Sequence, residues 1–533
     1  MIQSNLISLI CMLAMLSSSC GCASGSVPEV RPKEDNTEVP GEDNPGEDTP
    51  GDEKPGEDQP GDDKPDEGEQ QTHERYLKDQ VFASAILDSD QRYSVLLPRS
   101  YYDNTDKRYP VVYMLHGYGD NQNSWNGEWL HAKDRIDQLE DAGMEEMIYV
   151  YPMGYQCYYV NRYNGSFNYM DMFAQELVPL IDASFRTIPD KQHRSITGYS
   201  MGGFGAYVLA AKHTELFCCS APLSMSFRTD QQYMTESAKG WNSQWGDNFG
   251  GRGETGEGRL TDYYKEHCPY YVFNDQNRQE LESVKWFFTC GDDEEQLLIA
   301  NDSLHVVLRD RQFAHEYRVN NGAHTSNYWM NSLNEVLPMF SFYMNGGDKW
   351  PGNNLKEPGV PEITLDGNGA YQTEGYDGSG TLVLVAHKDL DKWEEAFAEF
   401  SRYSGSKYVL LPCDLSVKSL AEWKTYWAGL YQGSQWCIAA FGQAGAEAMA
   451  MQGDVQRIIL YDASLGEDIT PVKSCKYVIL IADNGVNYHD MGALYTACKR
   501  KDCPFEYRVS KGTDNAHEDM LRILETYKSL FNF

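Results

Sequence analysis

A chain that spells out the same run of strands twice is constrained to build two similar units. The stretch HEYRVNNGAH (His315–His324) returns as FEYRVSKGTD (Phe505–Asp514), with five identical positions and Gly322 and Gly512 in register. The agreement extends upstream: VVYMLHG answers to LVLVAHK, IYVYPMG to YVLLPCD, SITGYSMGG to CIAAFGQAGA, and KWFFTCGD to KYVILIAD. The spacing agrees as well, Lys285 to Glu316 being 31 residues and Lys476 to Glu506 being 30. Solid β-branched and aromatic runs of this kind read as strands buried on both faces. Between them, DMFAQELVPLIDASF and MGGFGAYVLAAKH carry helical spacing. Alternating strands and helices predict an α/β fold with a doubly wound, mostly parallel sheet, present twice. The first copy is expected over 75–347, opening with an antiparallel hairpin in VFASAILDSDQRYSVLLPRSY. A linker over 348–362 leads to a second, shorter copy over 363–533. The polar, Gly-rich WGDNFGGRGETGEGRLTD is expected to form surface loops.

What precedes the first copy has a different character. Residues 1–19 hold a short apolar run followed by small residues and Cys20, the pattern of a cleaved signal whose cysteine receives a lipid; Cys22 is an alternative acceptor. Residues 20–74 contain PGEDN PGEDT PGDEK PGEDQ PGDDK, which offers nothing apolar to bury and repels itself, so an extended spacer is expected. Between Glu29 and Gln70 there are 17 acids and 4 bases, leaving most of the net charge of -35 in the folded part. So acidic a surface excludes phosphate-backbone binding and argues for an exported protein, anchored to a membrane through its lipid or else secreted. The 13 cysteines have neither CxxC pairs nor metal-ligand spacing and read mainly as buried thiols.

The chemistry concentrates in the first copy. Gly198-Tyr199-Ser200-Met201-Gly202 is a G-x-S-x-G motif between a predicted strand and helix, the context a nucleophile elbow requires. Serine needs a base, and His324, on the loop after EYRV, is the candidate. The acid is expected on the loop Gly291-Asp292-Asp293-Glu294-Glu295, with Asp293 and Glu294 both open. The chain order Ser–acid–His is that of the α/β-hydrolase fold. His116-Gly117-Tyr118-Gly119 follows the first core strand, where the Tyr118 amide would meet a substrate oxyanion together with the amide of Met201. His116, His193, His213 and His315 fall elsewhere in the pattern and read as structural. Tyr118, Trp125, Tyr199 and Trp329 flank these motifs, where they could face an aromatic acyl group or simply fill core and rim.

With these motifs in place (YPVVYMLHGYGDNQNSW, NRYNGSFNYMDMFAQELVPLIDASFRT, SITGYSMGGFGA, TCGDDE and HEYRVNNGAHTSNYW), residues 80 to 345 resemble the esterase D, or feruloyl esterase, group of α/β-hydrolases, which includes carbohydrate esterase family 1. The resemblance implies hydrolysis of feruloyl or acetyl esters on plant cell-wall polysaccharide such as xylan, through an acyl-enzyme and with no cofactor or metal. In that family the acid stands three residues after the Gly of a C-G-x-x-D loop, a register that falls on Glu294, one beyond Asp293. The second copy departs at each such position. GQAGA puts Ala444 at the nucleophile, Asp514 stands in place of the base, His517 three residues on could reach inward but would have no nucleophile to serve, and Ser434 and Cys437 are poor substitutes. It reads as a catalytically inactive hydrolase-like domain. Two other functions fit the same residues: a glycan-binding surface lipoprotein with relic esterase domains, and acyl transfer to a sugar instead of water.

Overall fold

The computed structural model describes residues 74–352 and 363–513, apart from 374, 405, 434, 467 and 468. The signal, Cys20, Cys22, the acidic repeat, most of the linker, Ser434, Asp514 and His517 lie outside the described residues. The first copy supplies β1 (Tyr76–Ser84), β2 (Ser89–Leu96), β3 (Val111–Leu115), β4 (Ile148–Pro152), β5 (Arg194–Tyr199), β6 (Cys219–Leu223), β7 (Lys285–Gly291) and β8 (Glu316–Asn320). The second supplies β9 (Ile363–Leu365), β10 (Tyr371–Thr373), β11 (Thr381–Ala386), β12 (Tyr408–Cys413), β13 (Gln435–Gly442), β14 (Arg457–Ala463), β15 (Lys476–Ala482) and β16 (Phe505–Ser510).

All of them belong to one 16-stranded sheet in the order β1-β2-β4-β3-β5-β6-β7-β8-β16-β15-β14-β13-β11-β12-β10-β9. From either outer edge inward the order is the same: 1-2-4-3-5-6-7-8 answers to 9-10-12-11-13-14-15-16. In each series the first two pairings are antiparallel and the rest parallel, as crossover helices require. The series meet where β8 runs antiparallel to β16, with Val319 opposite Val509. These are the same residue of the repeated EYRV, so a local two-fold relation passes between them. The core strands read as expected: every residue of β3, β4, β5 and β6 is buried.

The series differ in what leaves the sheet. Between β6 and β7 the first has residues 224–284, and between β14 and β15 the second has only 464–475. The longer connection holds the glycine-rich stretch expected to be surface loops. Residues 252–258 of it are mostly exposed turns as expected, but its start is not, because Trp245 and Phe249, with Trp241 just before them, are buried in an aromatic cluster with Tyr158 and Tyr233. The buried Arg259 ties it down by donating to Tyr233 O at 2.8 Å and Glu236 O at 2.6 Å. Aromatic burial turns a polar segment into a packed cap. All ten cysteines of the described residues are buried and unbridged. No described helix is long and apolar enough to cross a membrane.

Candidate active site

Ser200 stands between β5 and the helix Met201–Lys212 with φ 57° and ψ -118°, a backbone that L-residues adopt only under constraint. The constraint is visible. Ser200 N–H donates to Leu223 O at 3.0 Å, and its carbonyl accepts from Ser226 N–H at 3.0 Å and Phe204 N–H at 3.1 Å. The helix then packs so closely on β3 that a Cβ at Gly202 would lie 2.3 Å from Leu115 O. Glycine is therefore required at that position, and the turn lifts the hydroxyl clear of the sheet.

His324 follows β8. Its Nε2 lies 2.9 Å from Ser200 Oγ and its Nδ1 lies 2.7 Å from Glu294 Oε2. An ionised carboxylate only accepts, so Nδ1 carries the ring proton and Nε2 is left to accept from the serine. The side chain of Glu294 is fully buried, and its other oxygen accepts from Gly291 N–H at 2.7 Å and Ser224 Oγ at 2.5 Å. Of the two carboxylates left open by the sequence, Glu294 reaches the imidazole. Asp293 is exposed, and its amide donates to Gly322 O at 3.0 Å. The alternating geometry of the tight loop turns neighbouring side chains in opposite directions.

Tyr118 lies on the loop after β3 and Met201 opens the helix after Ser200, so both follow core strands that are hydrogen-bonded neighbours. The Tyr118 hydroxyl donates to Ser243 O of the cap at 2.9 Å. His116 steadies this loop: Nδ1 donates to Gly117 O at 2.8 Å, and Nε2 accepts from Gly154 N–H at 2.7 Å. Burial holds its imidazole down at about 4, so it stays neutral. Trp125 and Tyr199 prove to be core, each 1% exposed, with Trp125 Nε1 donating to Leu115 O. Trp329 stacks on Tyr199 at 4.3 Å, meets His324 edge-on at 5.0 Å, and donates from Nε1 to Ser224 Oγ at 3.0 Å.

Two features escaped sequence reasoning. Ser224, in a left-handed backbone at φ 47°, links Trp329 to Glu294 and has no motif to announce it. Trp129, 76% exposed, stands with Trp329, Tyr199 and His324 around an open cleft of about 500 Å³. No three His, Cys, Asp or Glu side chains are grouped to hold a metal among the described residues.

The second copy has the same backbone without the side chains. Gly442 has φ 53° and accepts from Ser464 N–H at 2.9 Å, as Ser200 does from Ser226, and Asp462 repeats the left-handed turn of Ser224. Strand pairing agrees, since Phe441 lies opposite Tyr461 as Tyr199 lies opposite Leu223. The position equivalent to Ser200 is thus Gly442, not Ala444, because sheet register and not the glycine spacing fixes the correspondence. Counting from Ala482, which answers to Gly291, the position of Glu294 is Gly485.

Residues 84–340 match the family described as "Putative esterase". An esterase of Mycobacterium tuberculosis is 34% identical over 123 residues, covering 22% of this chain and 26% of that protein. An endo-1,4-beta-xylanase/feruloyl esterase of Xylanibacter ruminicola is 29% identical over 133 residues, covering 24% of this chain and 18% of that protein. A solved ferulic acid esterase is 30% identical, covering 50% of this chain and 98% of that one, with a TM-score of 0.43. The chain thus spans about a quarter or less of the length of these curated relatives. The fold is that of an α/β-hydrolase-type esterase. Residues 84–340, just under half of the chain, thus resemble this esterase family.

Proposed function

We propose that the protein removes feruloyl or acetyl groups from plant cell-wall polysaccharide such as xylan, using Ser200, His324 and Glu294 as its catalytic residues. The observation that carries this reading is the hydrogen-bonded line from Ser200 Oγ through His324 to Glu294, at 2.9 and 2.7 Å. Ser200 Oγ attacks the ester carbonyl while its proton passes to His324 Nε2. The carbonyl oxygen becomes an anion that accepts from the amides of Tyr118 and Met201. Glu294 stabilises the imidazolium, which then protonates the departing sugar alcohol as the carbon–oxygen bond to it breaks. Water attacks the acyl-enzyme with His324 again as base, releasing the acid and restoring Ser200.

The acyl and polysaccharide assignments are supported by the name of the Xylanibacter relative and by the cleft, where Trp129 and Trp329 offer flat faces to an aromatic acid or a sugar ring. The second copy, with Gly442 and Gly485 in place of the reacting side chains, is read as catalytically inactive. A hydrolysis panel tests the proposal: methyl ferulate, p-nitrophenyl acetate, acetylated xylan and feruloylated arabinoxylan, with the parent and Ser200→Ala. Release of ferulate or acetate by the parent, reduced by about 10⁴-fold or more in Ser200→Ala, is expected. Equal release by both would end the reading.

A further inference from the structure

We infer that Arg508, on β16 of the copy without reacting side chains, is a positioning residue for the Ser200–His324–Glu294 line and acts on it through Asp292. The inference rests on the catalytic reading of that line. Asp292 is buried at the centre of the two loops that present the acid and the base. Its Oδ1 accepts from Gly322 N–H at 3.1 Å, and its own amide donates to Asn320 O at 3.0 Å. Its Oδ2 accepts from Arg508 Nη1 across the seam between β8 and β16. Gly322 is two residues before His324, and Asp292 is two residues before Glu294. The loops touch so closely that a Cβ at Gly291 would lie 2.1 Å from Gly322 O. A movement of Asp292 therefore moves both the carboxylate and the imidazole.

Arg508 is well placed to prevent that movement. Its side chain is fully buried and held from behind, donating to Glu506 Oε2 at 2.7 Å and to Tyr507 O at 2.8 Å. A guanidinium anchored on a strand fixes the carboxylate in direction as well as in charge. The same device appears across the local two-fold. Arg318 Nη1 donates to Asp483 Oδ2 at 3.0 Å, and Asp483 Oδ1 accepts from Gly512 N–H at 2.7 Å. There the pair holds a loop that ends in Gly485, so it braces the seam without serving a site. The mirror pair supplies the control that separates positioning from bracing.

The experiment uses the full chain with p-nitrophenyl acetate and measures kcat, KM, melting temperature and the rate of Ser200 labelling by a fluorophosphonate. Arg508→Met is expected to lose about 10- to 100-fold in kcat and in labelling rate, with KM within about threefold, because misplacing a base by an ångström or less costs on this scale. Arg508→Lys keeps the charge without the fork and is expected to lose about threefold to tenfold. Asp483→Asn breaks the mirror pair and is expected to lower the melting temperature while leaving kcat within about twofold. A folded Arg508→Met with kcat within twofold of the parent overturns the inference, and so does an equal kcat loss in Asp483→Asn. Should Arg508→Met not fold, Arg508→Lys is read against Asp483→Asn, and equal kcat values overturn it. A parent enzyme no more active than Ser200→Ala would sink the catalytic reading itself, which is a different failure.

Discussion

The two copies share strand order, hinge on the same valine and exchange equivalent arginine–aspartate pairs, yet among the described residues only the first carries a hydrogen-bonded Ser–His–Glu line. Ser200 and Glu294 have become Gly442 and Gly485, whereas Asp292 and Arg318 persist as Asp483 and Arg508. The difference follows from where the energy lies. Deleting one partner of a buried ion pair leaves an uncompensated charge and costs about 3–5 kcal/mol. Losing the half-buried Ser200 hydroxyl removes chemistry at little cost in stability. The same division holds for the connections, since the first copy has residues 224–284 between β6 and β7 where the second has 464–475 between β14 and β15. What the second copy retains is the part that holds the seam.

The largest effect that would sharpen this comparison lies in the acid. Glu294→Gln keeps the shape but cannot hold the imidazolium, so a fall in kcat of about 10³-fold is expected, against a change within about twofold for the exposed Asp293→Asn. Steady-state kinetics on one ester decides it, and the reverse ranking would return the role to Asp293.

A smaller effect is expected at the seam. Burial pushes the Asp302 carboxyl up to about 6, with Tyr488 and Tyr507 hydroxyls donating to it at 2.8 and 3.1 Å. A carboxyl raised in the folded state binds a proton more tightly there than in the unfolded chain, whose value is about 4. Stability is therefore fullest below that value and is lost as pH rises through 6. Asp302→Asn removes this component and keeps the acceptor for the tyrosines. Denaturant unfolding at pH 4 and pH 7.5 should find the parent losing about 2 kcal/mol more than the variant over that interval. Parallel losses in both proteins would break the assignment.

The smallest effect is expected where the second copy is asked to react. A Cβ at Gly442 meets nothing within 4 Å, so Gly442→Ser fits, with a left-handed backbone like that of Ser200. With Gly485 at the position of the acid, fluorophosphonate should label the Ser200→Ala/Gly442→Ser protein no faster than Ser200→Ala alone. Labelling at residue 442 would mean that the second copy is not inert.

Much of this was legible in the sequence because it depends on local pattern. Runs such as VVYML and KYVILIA announce buried strands, the elbow motif announces Ser200, and the loop after EYRV announces His324. The repetition of the series announced two copies of one topology. The sequence by itself named Ser200 and His324 as candidates and led to the expectation that the second copy lacks their counterparts.

Tertiary structure alone decided the rest. Spacing of glycines chose Ala444, whereas hydrogen bonding of β13 to β14 put Gly442 at the position of Ser200. A run of carboxylates could not be ranked until the loop turned Glu294 inward and Asp293 outward. Ser224, Asp292 and Arg508 act across separations that no local pattern records, Arg508 lying 216 residues from the aspartate it holds. EYRV repeats because each copy needs a last strand. That those strands pair with each other, and so place an arginine of one copy behind the loops of the other, is fixed by packing across the sheet and not by the chain's local preferences.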